Sequence, residues 1–282
     1  MALCSANHIF QEAVSGTKPV YQYEGQLLEL TTQVVSVTTF AELPEAEQVL
    51  FKQQLPGAAT ASVVVTSETI FYPQGGGQPS DVGTMSSASG ASSFKVQNVR
   101  NAPQKRTLHL GTFDEGSDPF IAGERVTQCI DGEKRLLYSR LHTAGHILGL
   151  AVNELGSLIP DVVDTKAQHY PDAAYVEFRG LIDGKHKDAI QEKTDELVSR
   201  KLPVKLHWWD MEELHKKCAA VLDGFTLPEG EKARAVEIEG VGAYPCGGTH
   251  VENSSGVGKI IVGKIKRAKG MTKISYTVEP AK

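Results

Sequence analysis

The stretch RLLYSRLHTAGHILGLAVNEL, from Arg135 to Leu155, marks the place where the character of the chain changes. Its apolar residues recur every three or four positions, which is the spacing of one face of an α-helix. This stripe consists of Leu137, Leu141, Ala144, Leu148, Ala151 and Leu155. The pattern predicts a helix with one buried face and places a structural boundary near residue 134.

Before this boundary, the chain contains short runs of β-branched and aromatic residues, separated by segments rich in Gly, Ser and Pro. The runs are TTQVVSV (31–37), ASVVVTSETIFY (61–72), FKVQNV (94–99) and RTLHLGTF (106–113). Such runs are typical of the strands of an all-β unit. We therefore expect residues 1–134 to form a domain built on a small β-barrel.

After the boundary, helical and strand-like patterns are mixed. Two further helical stripes are formed by Ile190, Thr194, Leu197 and Val198, and by Met211, Leu214, Cys218 and Leu222. Strand-like runs are YVEF (175–178), ARAVEIE (233–239) and GKIIVGKIK (258–266). We expect residues 135–282 to form an α+β domain, which makes the chain as a whole α+β.

Composition excludes several classes of protein. The 282 residues are 40% hydrophobic and carry a formal net charge of −5. They contain neither an apolar run of about 18 residues nor the features of a secretory signal. The four cysteines are scattered rather than clustered, which argues against a disulfide framework. We expect no membrane partner and a reducing, cytoplasmic location.

Two pairs of metal-binding residue types occur in the chain. His142 and His146 lie four positions apart on the expected helix and therefore project from the same face. The stretch AYPCGGTHVE (243–252) supplies Cys246 and His250 with the same spacing. Imidazole and thiolate ligands together suit zinc. We therefore expect these four residues to bind one Zn²⁺ ion.

Glycines accompany both pairs. Gly247 and Gly248 permit turns that a Cβ would obstruct, so the loop can fold around an ion. Gly145 and Gly149 each weaken the helix by roughly 1 kcal/mol relative to alanine, and they serve either the approach of a ligand to the ion or tight packing against a neighbouring strand. Four protein ligands indicate a structural site, whereas a catalytic site keeps one position open. The sequence leaves open whether His250 stays bound.

A third motif lies in the β-rich half. TIFYPQGGGQPSDVG (Thr69–Gly83) contains three consecutive glycines, whose N–H groups can surround an anion or allow a close backbone approach. Taken alone, three glycines more often form a mobile hairpin tip. Gln78 and Asp81, just beyond them, are either turn residues or polar residues of a site.

The charge is unevenly distributed along the chain. Residues 259–282 hold seven Lys and Arg against one Glu, although the whole chain is acidic. One basic end is typical either of a solvated edge strand protected by lysines or of a site for a polyanion. The overall acidity argues against nonspecific binding of nucleic acid, so no DNA partner is expected.

The three motifs together resemble a known family. T-x-F-Y-P-x-G-G-G-Q-x-x-D, R-L-H-T-A-G-H and C-G-G-T-H-V occur in the order found in the editing module of alanyl-tRNA synthetase. They are most similar to those of the freestanding alanyl-tRNA editing proteins, the AlaX group. The resemblance covers roughly residues 20–280. It implies an N-terminal barrel, a C-terminal editing domain with zinc, and hydrolysis of serine, in some members also glycine, wrongly esterified to alanine tRNA.

The resemblance also implies roles for individual residues. The zinc ligands, which would form the catalytic centre, are His142, His146, Cys246 and His250. The expected substrate-binding residues are Thr69, which carries over by its motif position, and Gly75, Gly76, Gly77 and Gln78 of the glycine-rich segment, whose N–H groups can stabilise an oxyanion. Among these, Thr69 is expected to sense the serine hydroxyl. Separately from the resemblance, the basic segment supplies four residues that we expect to contact tRNA phosphates: Lys264, Lys266, Arg267 and Lys269.

Two other functions remain open on the residues alone. A metal-dependent hydrolase of a different small ester or amide would also use such a site, although no Glu follows the first histidine as in zinc peptidases. A noncatalytic tRNA- or protein-binding module with a structural zinc is the third hypothesis. Glu177 and Asp81 are the candidate general bases, and no nucleophile with a base partner is evident. Because no aminoacylation core precedes the barrel and no oligomerisation domain follows Lys282, we expect the chain not to charge tRNA.

Overall fold

The computed structural model describes residues 16–51 and 61–280. The N-terminal strands are β1 (Lys18–Pro19), β2 (Glu29–Thr39), β3 (Ser62–Thr66), β4 (Glu68–Thr69), β5 (Gly83–Ser87), β6 (Ser93–Ala102), β7 (Arg106–Phe113) and β8 (Arg125–Ile130). One short helix, α1 (Glu45–Gln48), lies among them. Cys4, one of the four scattered cysteines, lies outside the described residues.

Six of these strands close into a barrel in the order β2-β3-β7-β6-β5-β8. Every neighbouring pair is antiparallel. Alternate side chains point inward, and the interior is filled by apolar residues that include Val34, Val64, Met85, Phe94 and Val126. Closure leaves the barrel without a free edge. The β-barrel expected from the sequence is confirmed.

Beyond the barrel, helices and strands are mixed. The elements are α2 (Gly132–Glu154), β9 (Val163–Gln168), β10 (Tyr175–Arg179), α3 (Lys187–Ser199), β11 (Val204–Trp209), α4 (Met211–Lys217), β12 (Ala233–Ile238), β13 (Gly242–Pro245), β14 (Lys259–Ala268) and β15 (Met271–Glu279). They form a four-stranded sheet of order β14-β15-β10-β9 and a three-stranded sheet of order β11-β12-β13. The division into domains of residues 1–134 and 135–282 stays a prediction. Within residues 16–51 and 61–280, no helix is long and apolar enough to cross a membrane.

Helix α2 is the central element of this region. It begins after Asp131, whose side chain accepts a hydrogen bond from the Lys134 N–H at 3.0 Å and caps the helix. The middle of the expected stripe is buried, and Leu141, Ala144 and Leu148 lie in one core with residues of α3 and the four-stranded sheet. Leu137 and Leu155, at its two ends, are partly buried against the same core. The face that carries the histidines is buried as well. Polar groups on that face therefore need partners inside the protein.

A buried ion pair joins the start of α2 to the barrel. The side chains of Arg135 and Asp81 are 3% and 1% exposed, and Arg135 Nε lies 3.1 Å from both carboxylate oxygens. Arg135 also donates to the carbonyl of Gly25 at 2.7 Å, and Asp81 accepts from the N–H of Tyr72 at 2.6 Å. The pair is therefore well bonded on both sides. Asp81 is committed to this contact, which removes it as a candidate general base.

The structure differs from the sequence-based expectation at the end of α4. This helix ends at Lys217, so Cys218 and Leu222 lie beyond it. Cys218 is extended because it forms a parallel bridge with Ala243 of β13, and the N–H of Ala219 donates to the Ala243 carbonyl at 2.8 Å. This pairing between distant segments overrides the helical spacing of the apolar residues.

We expect Asp81→Asn to destabilise the protein strongly, because the change leaves the Arg135 charge buried without its counter-charge. Breaking one side of a buried ion pair costs about 3–5 kcal/mol of the free energy of unfolding. Urea denaturation followed by circular dichroism measures this loss. Asp118→Asn makes the same change at an exposed position. It should leave the urea concentration at the midpoint of unfolding unchanged. A loss below about 1 kcal/mol in the Asp81 variant, the size of an exposed ion pair, would contradict this account.

Candidate functional site

Four residues that lie far apart in the sequence meet at one place. His142 and His146 come from α2, whereas Cys246 and His250 come from the loop after β13. Their potential ligand atoms all lie within 4.8 Å of one another. The Cys246 Sγ is 3.3 Å from the Nε2 atoms of both His142 and His250. The structure thus brings together the four residues that the sequence analysis selected as a group.

Hydrogen bonds fix which nitrogen of His142 carries the proton. Its Nδ1 lies 2.7 Å from Gln78 Oε1, an oxygen that also accepts from the N–H of Thr249 at 3.2 Å. Because the Gln78 amide nitrogen donates to Thr249 Oγ1 at 2.9 Å, the amide orientation is defined. Nδ1 must therefore be the donor. The Nε2 lone pair of His142 is directed toward the cysteine, as a metal ligand requires.

The same reasoning applies to His250. Its Nδ1 lies 3.0 Å from Thr143 Oγ1, whose single proton is donated to the carbonyl of Ser139 at 2.8 Å. The threonine oxygen therefore accepts from Nδ1, and the N–H of Val251 donates to it as well, at 3.2 Å. The Nε2 atom of His250 therefore carries no proton, and its lone pair, like that of His142 Nε2, faces the thiol of Cys246.

His146 completes the cluster in a different way. Its Nδ1 is buried and has no hydrogen-bond partner among the described residues. Its ring packs edge-on against Tyr244, with ring centroids 5.0 Å apart. A buried polar atom without a partner costs roughly 1–3 kcal/mol. Together with the two oriented lone pairs, this unpartnered nitrogen fits a cluster that holds a metal ion.

Burial sets the protonation states of the cluster. Burial, followed by the neighbouring histidines and Arg234, lowers the pKa of His142 well below 6.5, and burial lowers the pKa of His146 to about 3. The imidazoles are therefore neutral at pH 7. Burial raises the pKa of Cys246 above 9, although Arg234 and the Gly248 N–H oppose this rise. Neutral imidazoles, and a thiol whose ionisation a bound cation would favour, suit a metal site.

The two glycines between Cys246 and His250 have different roles. A Cβ on Gly248 would lie 2.2 Å from Cε1 of His142, so only glycine allows this approach. A Cβ on Gly247 would meet nothing closer than 3.9 Å. Arg234 fixes the loop by donating to the carbonyls of Cys246 and Gly248 at 2.7 and 2.9 Å.

The cluster borders a cavity of about 460 Å³. His142, His146 and Cys246 line this cavity, together with β9 and the loop after β13. His250 does not line it and instead borders a second cavity with Arg234. Three of the four cluster residues thus face one cavity, while the fourth supports the cluster from another side.

Gly145 and Gly149 also line the cavity. At both positions a neighbouring side chain occupies the space that a Cβ would need. A Cβ on Gly145 would lie 2.4 Å from the ring of His169. A Cβ on Gly149 would lie 2.5 Å from the Tyr244 hydroxyl and 2.9 Å from Asp164 Oδ2. Tight packing, one of the two interpretations, therefore describes these glycines, and the residues that pack against them form part of the cavity wall. The approach of a ligand to the ion stays a prediction.

The triglycine loop (residues 75–77) packs against β9. Gly77 has a φ of +77°, and a Cβ there would lie 2.4 Å from the carbonyl oxygen of Ala167. The N–H of His169 donates to the Gly77 carbonyl at 2.8 Å. Gly76 and Gly77 line the cavity, whereas Gly75 pairs with Gln78 in a tight turn. A close backbone approach, one of the two interpretations, describes this loop.

Thr69 and Glu177 lie elsewhere. The Thr69 side chain is fully buried, and its Oγ1 is 2.8 Å from Nε2 of His109 and accepts from the Phe71 N–H at 3.1 Å. Thr69 is not among the residues that line the cavity. Glu177 is paired with Lys273 at 3.1 Å and does not line the cavity either. Membership of a motif, as for Thr69, does not determine where the backbone directs a side chain.

The four basic residues, Lys264, Lys266, Arg267 and Lys269, are exposed. They lie on β14 and the turn that follows it, and β14 is the edge strand of its sheet. The cavity is lined by β9, which is the opposite edge of the same sheet. Arg267 lies 3.3 Å from Asp183. The structure does not bring these residues to the cavity.

Sequence reasoning missed several residues of the cavity wall. His169 stacks on His142, with centroids 4.1 Å apart, and its Nδ1 lies 2.6 Å from the hydroxyl of Tyr276. Tyr244 donates to Asp164. His169, Tyr276 and Asp164 belong to no motif, and Tyr244 lies in the AYPCGGTHVE stretch without having been selected as a site residue. The two glycines of α2 were the only signal, because a helix interior with two missing side chains implies large neighbours.

Comparisons with known proteins agree with the motifs. A family model described as tRNA synthetases class II (A) matches residues 9–134. The alanyl-tRNA editing protein AlaX-M of Methanosarcina barkeri is 32% identical over 76% of this chain and 88% of its own length. AlaX-M of Saccharolobus solfataricus is 30% identical over 77% of this chain and 89% of its own length. The alanine–tRNA ligase of Methanosphaera stadtmanae is 28% identical, and the match spans 83% of this chain but only 26% of the ligase. The chain therefore belongs to the alanyl-tRNA editing protein family, which shares its sequence pattern with part of the alanine–tRNA ligases.

Proposed function

We propose that this protein is a zinc-dependent aminoacyl-tRNA deacylase that removes serine wrongly esterified to alanine tRNA. One observation carries the proposal: three of the four candidate metal ligands line an open cavity of about 460 Å³. Cavities of roughly 300–1,000 Å³ are typical of small-molecule sites. The cavity can receive the aminoacyl end of a tRNA while the rest of the nucleic acid stays outside.

The residues of the chain suit this chemistry. His142, His146, Cys246 and His250 would hold the ion, and their donor types favour zinc over magnesium or calcium. A bound zinc supplies Lewis-acid chemistry, which polarises an ester carbonyl or lowers the pKa of a water molecule. Gln78 and Thr143 hold the two imidazoles in the required tautomers. Gly76 and Gly77 of the triglycine loop form part of the cavity wall.

A noncatalytic module with a structural zinc is the second candidate. The four-residue ligand set favours it, since structural zinc sites have four protein ligands. The position of the cluster against the cavity favours catalysis, because a structural site is enclosed by the protein. The two functions differ in whether serine is released.

We expect Cys246→Ala to lose both bound zinc and at least about 100-fold of the rate of serine release from seryl-tRNA(Ala), because the only thiolate ligand is removed. Zinc content and single-turnover deacylation measure the two effects. Cys218→Ala is the matched control, since this half-buried thiol lies outside the cluster and burial raises its pKa to about 11. A Cys246 variant with the full zinc content would rule out the proposed ligand set. A zinc-loaded wild-type protein that releases no serine would favour the noncatalytic module.

The glycine pair after Cys246 allows a sharper test of the geometry. Gly248→Ala should reduce zinc content by at least about tenfold, because the new Cβ displaces the His142 ring from its present position. Gly247→Ala adds the same methyl group one residue earlier, where the nearest neighbouring atom would be 3.9 Å away, and should retain the metal. Cobalt substitution followed by visible absorption reports the ligand field of both variants. Equal spectra and equal metal contents would show that the close approach of Gly248 to His142 is unimportant.

We also propose that Lys264, Lys266, Arg267 and Lys269 contact tRNA phosphates outside the cavity. Replacing Lys264 and Lys266 by alanine should weaken tRNA binding. It should also reduce the slope of the logarithm of the binding constant against the logarithm of the salt concentration, by about one unit for each phosphate that the variant no longer neutralises. A matched double variant removes the exposed Lys187 and Lys216. If both double variants give the wild-type slope, the lysines of β14 only protect an edge strand.

A further inference from the structure

Asp164 is a cavity-lining carboxylate that the metal centre does not use. It lies on β9 and borders the same cavity as His142, His146 and Cys246. The Tyr244 hydroxyl donates to its Oδ2, and the Asn153 amide donates to the same oxygen at 3.3 Å. The Tyr244 ring also packs against His146. The carboxylate is therefore held beside the metal cluster through a shared aromatic neighbour.

The second oxygen of this carboxylate is left without a partner. Asp164 Oδ1 is buried, and no described residue donates a hydrogen bond to it. Among the described residues, Asp164 also forms no ion pair. An unsatisfied buried carboxylate oxygen is costly and usually indicates a missing ligand or water. Burial raises the pKa of Asp164, although Tyr244 and Asn153 oppose this rise.

Two features of the backbone determine the position of the Asp164 carboxylate. Asp164 pairs with Phe178 and Lys166 pairs with Glu177, so Thr165 is an extra residue that bulges from the strand. Bulges are frequent next to active sites, where they redirect side chains. Gly149 completes the arrangement, because a Cβ there would lie 2.9 Å from Asp164 Oδ2. A helix glycine and a strand bulge thus both serve the same carboxylate.

We propose that Asp164 binds the α-ammonium group of the aminoacyl ester and so makes the enzyme specific for esters with a free amine. The inference rests on the proposed deacylase function and identifies the substrate class. Every aminoacyl-tRNA carries this positive group next to the scissile ester. An ammonium group donates hydrogen bonds and has positive charge, and the unpaired oxygen lacks both a donor and a counter-charge. The Tyr244 and Asn153 donors both contact Oδ2, so Oδ1 is the carboxylate oxygen left to bind the ammonium group.

The test combines a change in the enzyme with a change in the substrate. Wild-type protein and Asp164→Asn are each given seryl-tRNA(Ala) and its deaminated analogue, in which a hydroxyl replaces the α-ammonium. Four single-turnover rates, measured on the zinc-loaded full chain, form a cycle that isolates the interaction between the two groups. This design cancels the different intrinsic reactivities of the two esters.

We expect Asp164→Asn to slow hydrolysis of the seryl ester at least about tenfold and to change hydrolysis of the deaminated ester less than about threefold. Asp172→Asn, an exposed carboxylate on the following loop, should leave all rates unchanged. The assignment would be overturned if the hydrolysis rate of the seryl ester, divided by that of the deaminated ester, is the same for the wild type and for Asp164→Asn. If Asp164→Asn loses zinc or the circular dichroism signal of its helices, Asp164→Ser replaces it in the same cycle.

The failure of the deacylase function and the failure of the role of Asp164 give different results. A wild-type protein that hydrolyses neither ester refutes the deacylase function itself. An active wild type whose ratio of hydrolysis rates is unchanged in Asp164→Asn refutes only the role of Asp164.

Discussion

The buried amide of Gln78 is the contact on which the site depends most. Its oxygen accepts from Nδ1 of His142 and from the N–H of Thr249, and its nitrogen donates to the Thr249 hydroxyl. The partners come from α2 and from the loop after β13, and Gln78 itself lies in the segment that leads into barrel strand β5. One side chain without solvent exposure therefore aligns three distant segments. Because a buried polar network is stable only when each member is satisfied, the orientation of the histidine and the position of the barrel are coupled.

Local patterns in the sequence were sufficient for much of the fold. The apolar stripe of α2 and the β-rich runs of the barrel depend on residues close together in the chain, so their periodicity predicts them. The His142/His146 pair could be placed on one face for the same reason. The extension of α4 to Leu222 was wrong because Cys218 pairs with Ala243, a contact that no local pattern reveals.

The wall of the cavity was much harder to predict. His169 and Asp164 reach the cavity only because β9 packs beside α2, and that neighbour relation is formed between distant segments. Thr69 shows the opposite case, since it belongs to a recognised motif but directs its hydroxyl to His109. Motifs therefore identified the cluster itself, whereas the surrounding wall depends on the tertiary packing. The division of the cluster between two cavities, with His250 in the second, also depends on that packing.

The four-stranded sheet has two edges, and each is shielded by a feature that the sequence singled out for another reason. The triglycine loop covers β9, since Gly77 accepts a hydrogen bond from the main chain of His169. On the other side, Lys264 and Lys266 are exposed on β14. Lysines on an edge strand oppose pairing with the edge of another molecule, which is a common route to aggregation. The same side chains can thus influence the solubility of the protein, and an uncharged β14 would offer a template for unwanted self-association.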